Sequence, residues 1–202
     1  MMAQDCGPAV KRANRPGGQL RGMPSWAHEM PNCRYQPSNV EPAEIPIEAA
    51  SFTGAKFFLA YWHGLRAERF APSWTELDLM ALGGKSAARA IVVDILTAPL
   101  RIKYRFWGTA NTNAKGLDMT GKHLDDFPLV RQSVAREEYK RVISERRPVA
   151  FKDKLVLPET GHSVLRFKAA FDQVMVRLPL SSDGETVDHI VSLANWERNP
   201  SV

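Results

Sequence analysis

The sequence predicts an α+β domain: a five-stranded antiparallel sheet with helices on one face, preceded by flanking N-terminal helices. Three observations carry this expectation. Large apolar residues at helical spacing open the folded part, two β-branched and alternating segments follow, and after a long amphipathic helix the chain returns to strands. Two strand groups joined by helices assemble into one antiparallel sheet with the connecting helices laid across it.

Composition sets the outer limits. A chain of 202 residues suffices for one domain with a substantial core, and 44% hydrophobic with 24% charged residues is the balance of a globular protein. No apolar run is long enough to span a bilayer, and no apolar stretch follows the early basic residues Lys11, Arg12 and Arg15 as a secretory signal would require. A cytoplasmic protein without membrane contact is expected. The net charge of +5 lies wholly beyond residue 50 and accompanies no nucleic-acid-reading motif, so nucleic acid is not an expected partner. The two cysteines, Cys6 and Cys33, read as free thiols, and five histidines stand singly, without metal-ligand spacing.

The elements follow in order. Residues 1–50 hold seven of the 14 prolines and no periodicity, which predicts a disordered leader or a start codon assigned too far upstream. Residues 51–88 predict the flanking helices. In the first, Phe57, Phe58, Tyr61, Trp62 and Leu65 share one face; a second begins at Ser73, with Glu76 completing a capping box, and its apolar side is Leu77, Met80 and Leu82. Residues 89–196 predict the sheet domain. Segments 90–96 (AIVVDIL) and 101–109 (RIKYRFWGT) form a hairpin, with Ile102, Tyr104 and Phe106 on one face and Lys103, Arg105 and Trp107 on the other. Short polar turns follow, with Thr109 or Asn111 as a cap and Gly116 and Gly121 as breaks.

Residues 129–146 predict the longest helix, with Val130, Val134, Tyr139, Val142 and Ile143 as its buried stripe and Glu137 paired to Arg141. Strands are expected at 149–155, 164–180 and 186–194. The middle one changes phase between Phe171 and Val174, which predicts a bulge near Asp172 and Gln173; Ser181 to Gly184 turns the last hairpin.

Four short patterns stand in this order: Tyr61-Trp62-His63-Gly64-Leu65-Arg66, Tyr104-Arg105-Phe106-Trp107-Gly108-Thr109, Gly116-Leu117-Asp118-Met119-Thr120-Gly121, and Pro179-Leu180-Ser181-Ser182-Asp183-Gly184. Pro72-Ser73-Trp74 lies between the first two. With these the chain resembles, from about Phe57 to Leu193, a PAS-like family of small stand-alone proteins common in alphaproteobacteria. The long proline-rich leader departs from the pattern. The resemblance implies a five-stranded PAS sheet and a sensory or regulatory role; it supplies no cofactor. A flavin-adduct cysteine is missing from the folded part, and the long helix has no histidine for haem.

On a PAS layout, Tyr104 and Phe106 would line a cavity between sheet and helices, with Thr109 and Asn113 at its mouth as polar contacts for a small ligand. The plainer reading makes the same aromatics core and Thr109 and Asn111 caps of a turn. Asp118 and Thr120 read as holding their turn through side chain to backbone bonds, rather than as a phosphate loop. The face of Phe57, Phe58, Tyr61, Trp62 and Leu65 either packs on its own sheet or meets the same helix of a second chain. Two functions remain open: a ligand-responsive sensor, and a ligand-free dimerisation or adaptor module. Neither is catalytic. The chain ends soon after the last strand, so output is expected to pass to a separate signalling protein.

Overall fold

A computed structural model describes residues 43–126, 129–157 and 169–199. The leader up to residue 42 and the first part of the expected strand 164–180, including Leu165 and Phe167, lie outside these residues. The elements are β1 (Glu44–Ile45), α1 (Ala55–Arg66), α2 (Gly84–Ala87), β2 (Ala90–Thr97), β3 (Leu100–Trp107), α3 (Thr109–Lys115), α4 (Leu129–Glu145), β4 (Val149–Leu157), β5 (Ala169–Leu180) and β6 (His189–Asn199). Single 3-10 turns stand at Ile47–Ala49, Trp74–Glu76, Leu79–Leu82 and Leu124–Asp126.

All strands pair antiparallel, in the order β1-β4-β5-β6-β2-β3. Without β1 this is the expected five-stranded sheet, with α3 and α4 in the crossover from its second to its third strand. The PAS-like arrangement implied by the resemblance is therefore present. The sixth strand was not foreseen: Glu44–Ile45 pairs with β4 at Phe151 and Ala150, inside the segment read as leader. Two residues give almost no periodicity, and their tie is partly ionic. Glu44 takes hydrogen bonds at 2.8 Å from Arg141 and 2.7 Å from Arg147. Those partners replace the expected Glu137–Arg141 pair; Glu137 instead holds Lys140 at 2.7 Å.

The helices of the crossover lie on one face of the sheet, as expected, and the flanking N-terminal helices cover the other. On the inner face, Met119, Leu124, Tyr139 and Val142 pack against Ile91, Val93, Ile102, Tyr104, Phe151 and Met175. On the outer face, Phe58, Trp62, Leu77 and Leu82 pack against Val92, Val176, Leu178, Val191 and Leu193. From Val174 to Leu180 this puts apolar residues on both faces of β5, with Met175 inward and Val176, Leu178 and Leu180 outward. The expected bulge at Asp172 and Gln173 is absent, since the register with β4 and β6 runs unbroken through both residues. A central strand buried on both faces needs no alternation.

A register shift does occur between Val92 and Val93, where Val92 opposes Phe106 and Val93 opposes Tyr104. Arg105 is the extra residue. The bulge turns Trp107, not Phe106, onto the inner face beside Tyr104. Arg105 forms an ion pair with Asp94 at 2.6 Å. The Ala98–Pro99 peptide in the β2–β3 turn is cis.

The four sequence patterns now have physical reasons. Trp62 Nε1 donates to the Pro179 carbonyl at 2.8 Å, and Ser181 N donates to Pro72 O at 2.9 Å, so the first helix, the proline-led segment and the last turn are tied together. Ser73 and Glu76 form the expected capping box, on a 3-10 turn. Gly108 passes so close to α2 that a Cβ there would sit 2.3 Å from the Ala88 carbonyl oxygen. Asp118 accepts from Thr120 N at 2.8 Å, as expected, and Gly121 N donates to Tyr104 O at 2.8 Å. That places the 116–121 turn against β3.

Candidate functional site: the inner face of the sheet

The space where a PAS-type cavity is expected lies between the inner face and the helices α3 and α4. Among the described residues it is occupied by large side chains. Tyr104 and Trp107 meet edge to face at 5.2 Å, and Met119, Leu124, Tyr139, Phe151 and Met175 are buried around them.

A charged pair lies within this apolar layer. Arg177, on β5, is 3% exposed, and Glu138, on α4, is 1% exposed. Arg177 Nε donates to Glu138 Oε2 at 2.9 Å, and Nη2 makes a second bond to the same oxygen. Arg177 Nη1 donates to Ser192 Oγ at 3.0 Å, and the guanidinium lies over the Tyr139 ring at 4.1 Å. Burial opposes the arginine charge, but the neighbouring Tyr139 and Glu138 outweigh it and hold Arg177 above its ordinary pKa. Burial also pushes the Tyr104 hydroxyl well above the phenol range, and raises Tyr139 with Arg177 pulling the other way. Both phenols are therefore neutral at physiological pH. The result is a fixed polar knot that ties α4 to the middle of the sheet.

The expected site residues separate. Tyr104 is in the inner layer. Phe106 is turned to the outer face by the bulge at Arg105, where it is partly buried. Thr109 and Asn113 are exposed on α3. Neither Thr109 nor Asn111 caps α3; Gly108 does. Asn111 is fully buried instead, and its Nδ2 donates to the Arg89 carbonyl at 3.1 Å, pinning α3 to the start of β2. Helical geometry divides these residues, because positions 109 and 113 share a face about 200° from that of 111.

The first helix divides likewise. Phe58 and Trp62 are buried against the outer face within their own chain, so intramolecular packing claims the centre of the expected dimer face. Tyr61 and Leu65 are half-buried beside them, and the Tyr61 hydroxyl accepts from Asp78 N at 3.0 Å. Phe57 is 54% exposed and stacks on Tyr61 at 6.2 Å. Met80, expected on a buried side, is 71% exposed.

Sequence reasoning missed Arg177 and Glu138, although both left a signal. Glu138 falls on the helix stripe, four residues from Val134 and from Val142. Arg177 sits inside the apolar run VMVRLPL. A charge in such a run is buried only with a partner.

A second polar feature lies at one end of this layer. Lys115, the last residue of α3, places its ammonium 4.9 Å from the Trp107 ring centre and 5.9 Å from that of Trp196. Arg89 covers Trp196 as well, at 5.5 Å, and is held by Asn195 Oδ1 at 2.7 Å.

No family model matches the chain. No curated protein matches it either. Among solved structures it is similar to a fungal LOV domain photoreceptor, at 14% identity, covering 71% of this chain and 93% of that one with a TM-score of 0.37. A score of that size carries neither fold nor function across; the fold described above rests on its own strand order and register. No helix among the described residues is long and apolar enough to cross a membrane.

Proposed function

We propose that the protein is a PAS-type regulatory module, non-catalytic and cytoplasmic, whose interior is closed by its own side chains and which signals through contact with a separate protein partner. The observation that supports this reading is the buried Arg177–Glu138 pair, standing with Tyr104, Tyr139 and Trp107 where a PAS ligand would lie. A ligand there would have to displace a doubly hydrogen-bonded ion pair, at a cost of several kcal/mol (about 3–5 for breaking a buried pair). On this reading the bistable element is α4, which the pair clamps to the sheet, and a partner that loosens α4 changes the state of the whole inner layer.

The surface left for a partner or a second copy on α1 is the Phe57–Tyr61 stack rather than the whole aromatic face. Thermal unfolding of the full chain against a broad metabolite panel tests the closed interior. The reading expects no compound to raise the midpoint of the wild-type chain in a saturable way. A compound that does so, and loses the effect in Arg177→Met, would establish a ligand-responsive sensor instead.

The second reading, a small-molecule sensor, draws support from one observation only: the cation held between Trp107 and Trp196 at the end of the layer.

A further inference from the structure

Cation–π contacts of ordinary kind pair one cation with one ring; here a single ammonium is shared by two indole faces. Trp107 is buried, and its inner-layer neighbour Tyr104 meets it edge to face. Trp196 is partly buried against the same core, and the Arg89 guanidinium lies 5.5 Å from its ring centre. Opposite Trp196 in the β5–β6 register stands Gln173, 2% exposed, whose Oε1 has no hydrogen-bond partner among the described residues. Two rigid indoles and an unsatisfied carbonyl oxygen thus stand at one end of the inner face, and the ammonium they meet is on a flexible stem.

We propose that Trp107 and Trp196 form a binding site for a small, free, methylated ammonium ion, and that Lys115 is its intramolecular occupant. The chemistry favours exchange. A primary ammonium is compact and strongly hydrated, so holding it against indole sacrifices solvation that a quaternary ammonium never had. Lys115 is the last residue of α3, and Gly116 after it ends the helix in the left-handed conformation at φ 68°. Its place at the helix end lets the side chain change rotamer without unwinding the helix. In the β5–β6 register Trp196 stands opposite Gln173, four residues along β5 from Arg177, so occupation of the site requires no break in the Arg177–Glu138 pair.

The test uses the full chain and its indole N–H signals in two-dimensional NMR, five for the five tryptophans. Choline chloride is titrated into the wild type and Lys115→Ala, with 3,3-dimethylbutan-1-ol as the neutral compound of the same shape. In Lys115→Ala, choline is expected to move the Trp107 and Trp196 signals saturably, at least about tenfold more tightly than the neutral compound. Wild type and Lys115→Arg, which keep a tethered cation, bind choline about tenfold or more weakly than Lys115→Ala. Adding Trp196→Leu to Lys115→Ala abolishes the response. The proposal is overturned if choline moves neither signal in folded Lys115→Ala, if the neutral compound binds equally well, or if wild type binds as tightly as the variant. Should Lys115→Ala lose its dispersed spectrum, Lys115→Gln serves in its place with the same expected outcomes. Failure here leaves the regulatory reading standing, since that rests on the ion pair.

Discussion

Replacing Glu138 with Leu removes the carboxylate from Arg177 and leaves the guanidinium buried beside Ser192 and Tyr139. The side-chain volume changes little, so the energetic effect is that of an uncompensated charge. Removing one partner of a buried pair costs about 3–5 kcal/mol. For a chain of this size each kcal/mol shifts the melting midpoint by roughly 2–4 °C, so the variant should melt about 6–20 °C below wild type. Arg177→Met should cost a similar amount, because it removes the bond to Ser192 and the contact over Tyr139 as well. Combined, the two changes place apolar side chains against one another, and the double variant should return to within about 1–2 kcal/mol of wild type. Urea unfolding at neutral pH, followed by tryptophan fluorescence and far-UV circular dichroism, gives all four corners of the cycle. Strictly additive losses in the double variant would refute the reasoning, because they would show that the two groups do not depend on each other.

Three further outcomes follow from the packing and the turns. Gly108→Ala forces a Cβ onto the Ala88 carbonyl and should destabilise by at least about 1–3 kcal/mol in urea unfolding; wild-type stability would show that α2 yields freely. Trp62→Phe leaves the Pro179 carbonyl without its donor and should cost about 1–3 kcal/mol, with hydrogen exchange rising in α1 before the sheet. Asp183 accepts from Thr186 Oγ1 and N, from Glu185 N and from Ser181 Oγ, and these bonds hold its carboxyl far below the ordinary 3.8. Its contribution is therefore full above pH 3.8 and is lost as pH falls through the depressed value. Asp183→Ala should melt below wild type at neutral pH, the gap narrowing steadily below 3.8; a pH-independent gap would count against the carboxylate's role.

Much of the fold was legible because its signals were local. The stripe through Tyr139 and Val142, the alternation through Ile102 and Tyr104, and the box of Ser73 and Glu76 each report on a few neighbouring residues. Where pairing decides, the sequence was silent. The bulge at Arg105 depends on the register of β2 against β3, and it alone moved Phe106 out of the inner layer and Trp107 in. The two-residue strand at Glu44 depends on arginines about a hundred positions away. The candidate site was read in part for the same reason. Tyr104 lies where expected, but Thr109 and Asn113 point outward once Gly108, not Thr109, starts the helix. Arg177 meets Glu138, and Lys115 meets Trp196, only through the folded chain, so neither association left a spacing to recognise.

Native mass spectrometry of the gently desalted full chain tests the closed interior most directly. A closed interior gives the polypeptide mass of 22.6 kDa, or a whole multiple of it, with no retained small molecule. A stoichiometric non-covalent adduct that is released on denaturation, and is missing from the Arg177→Met variant, would contradict it.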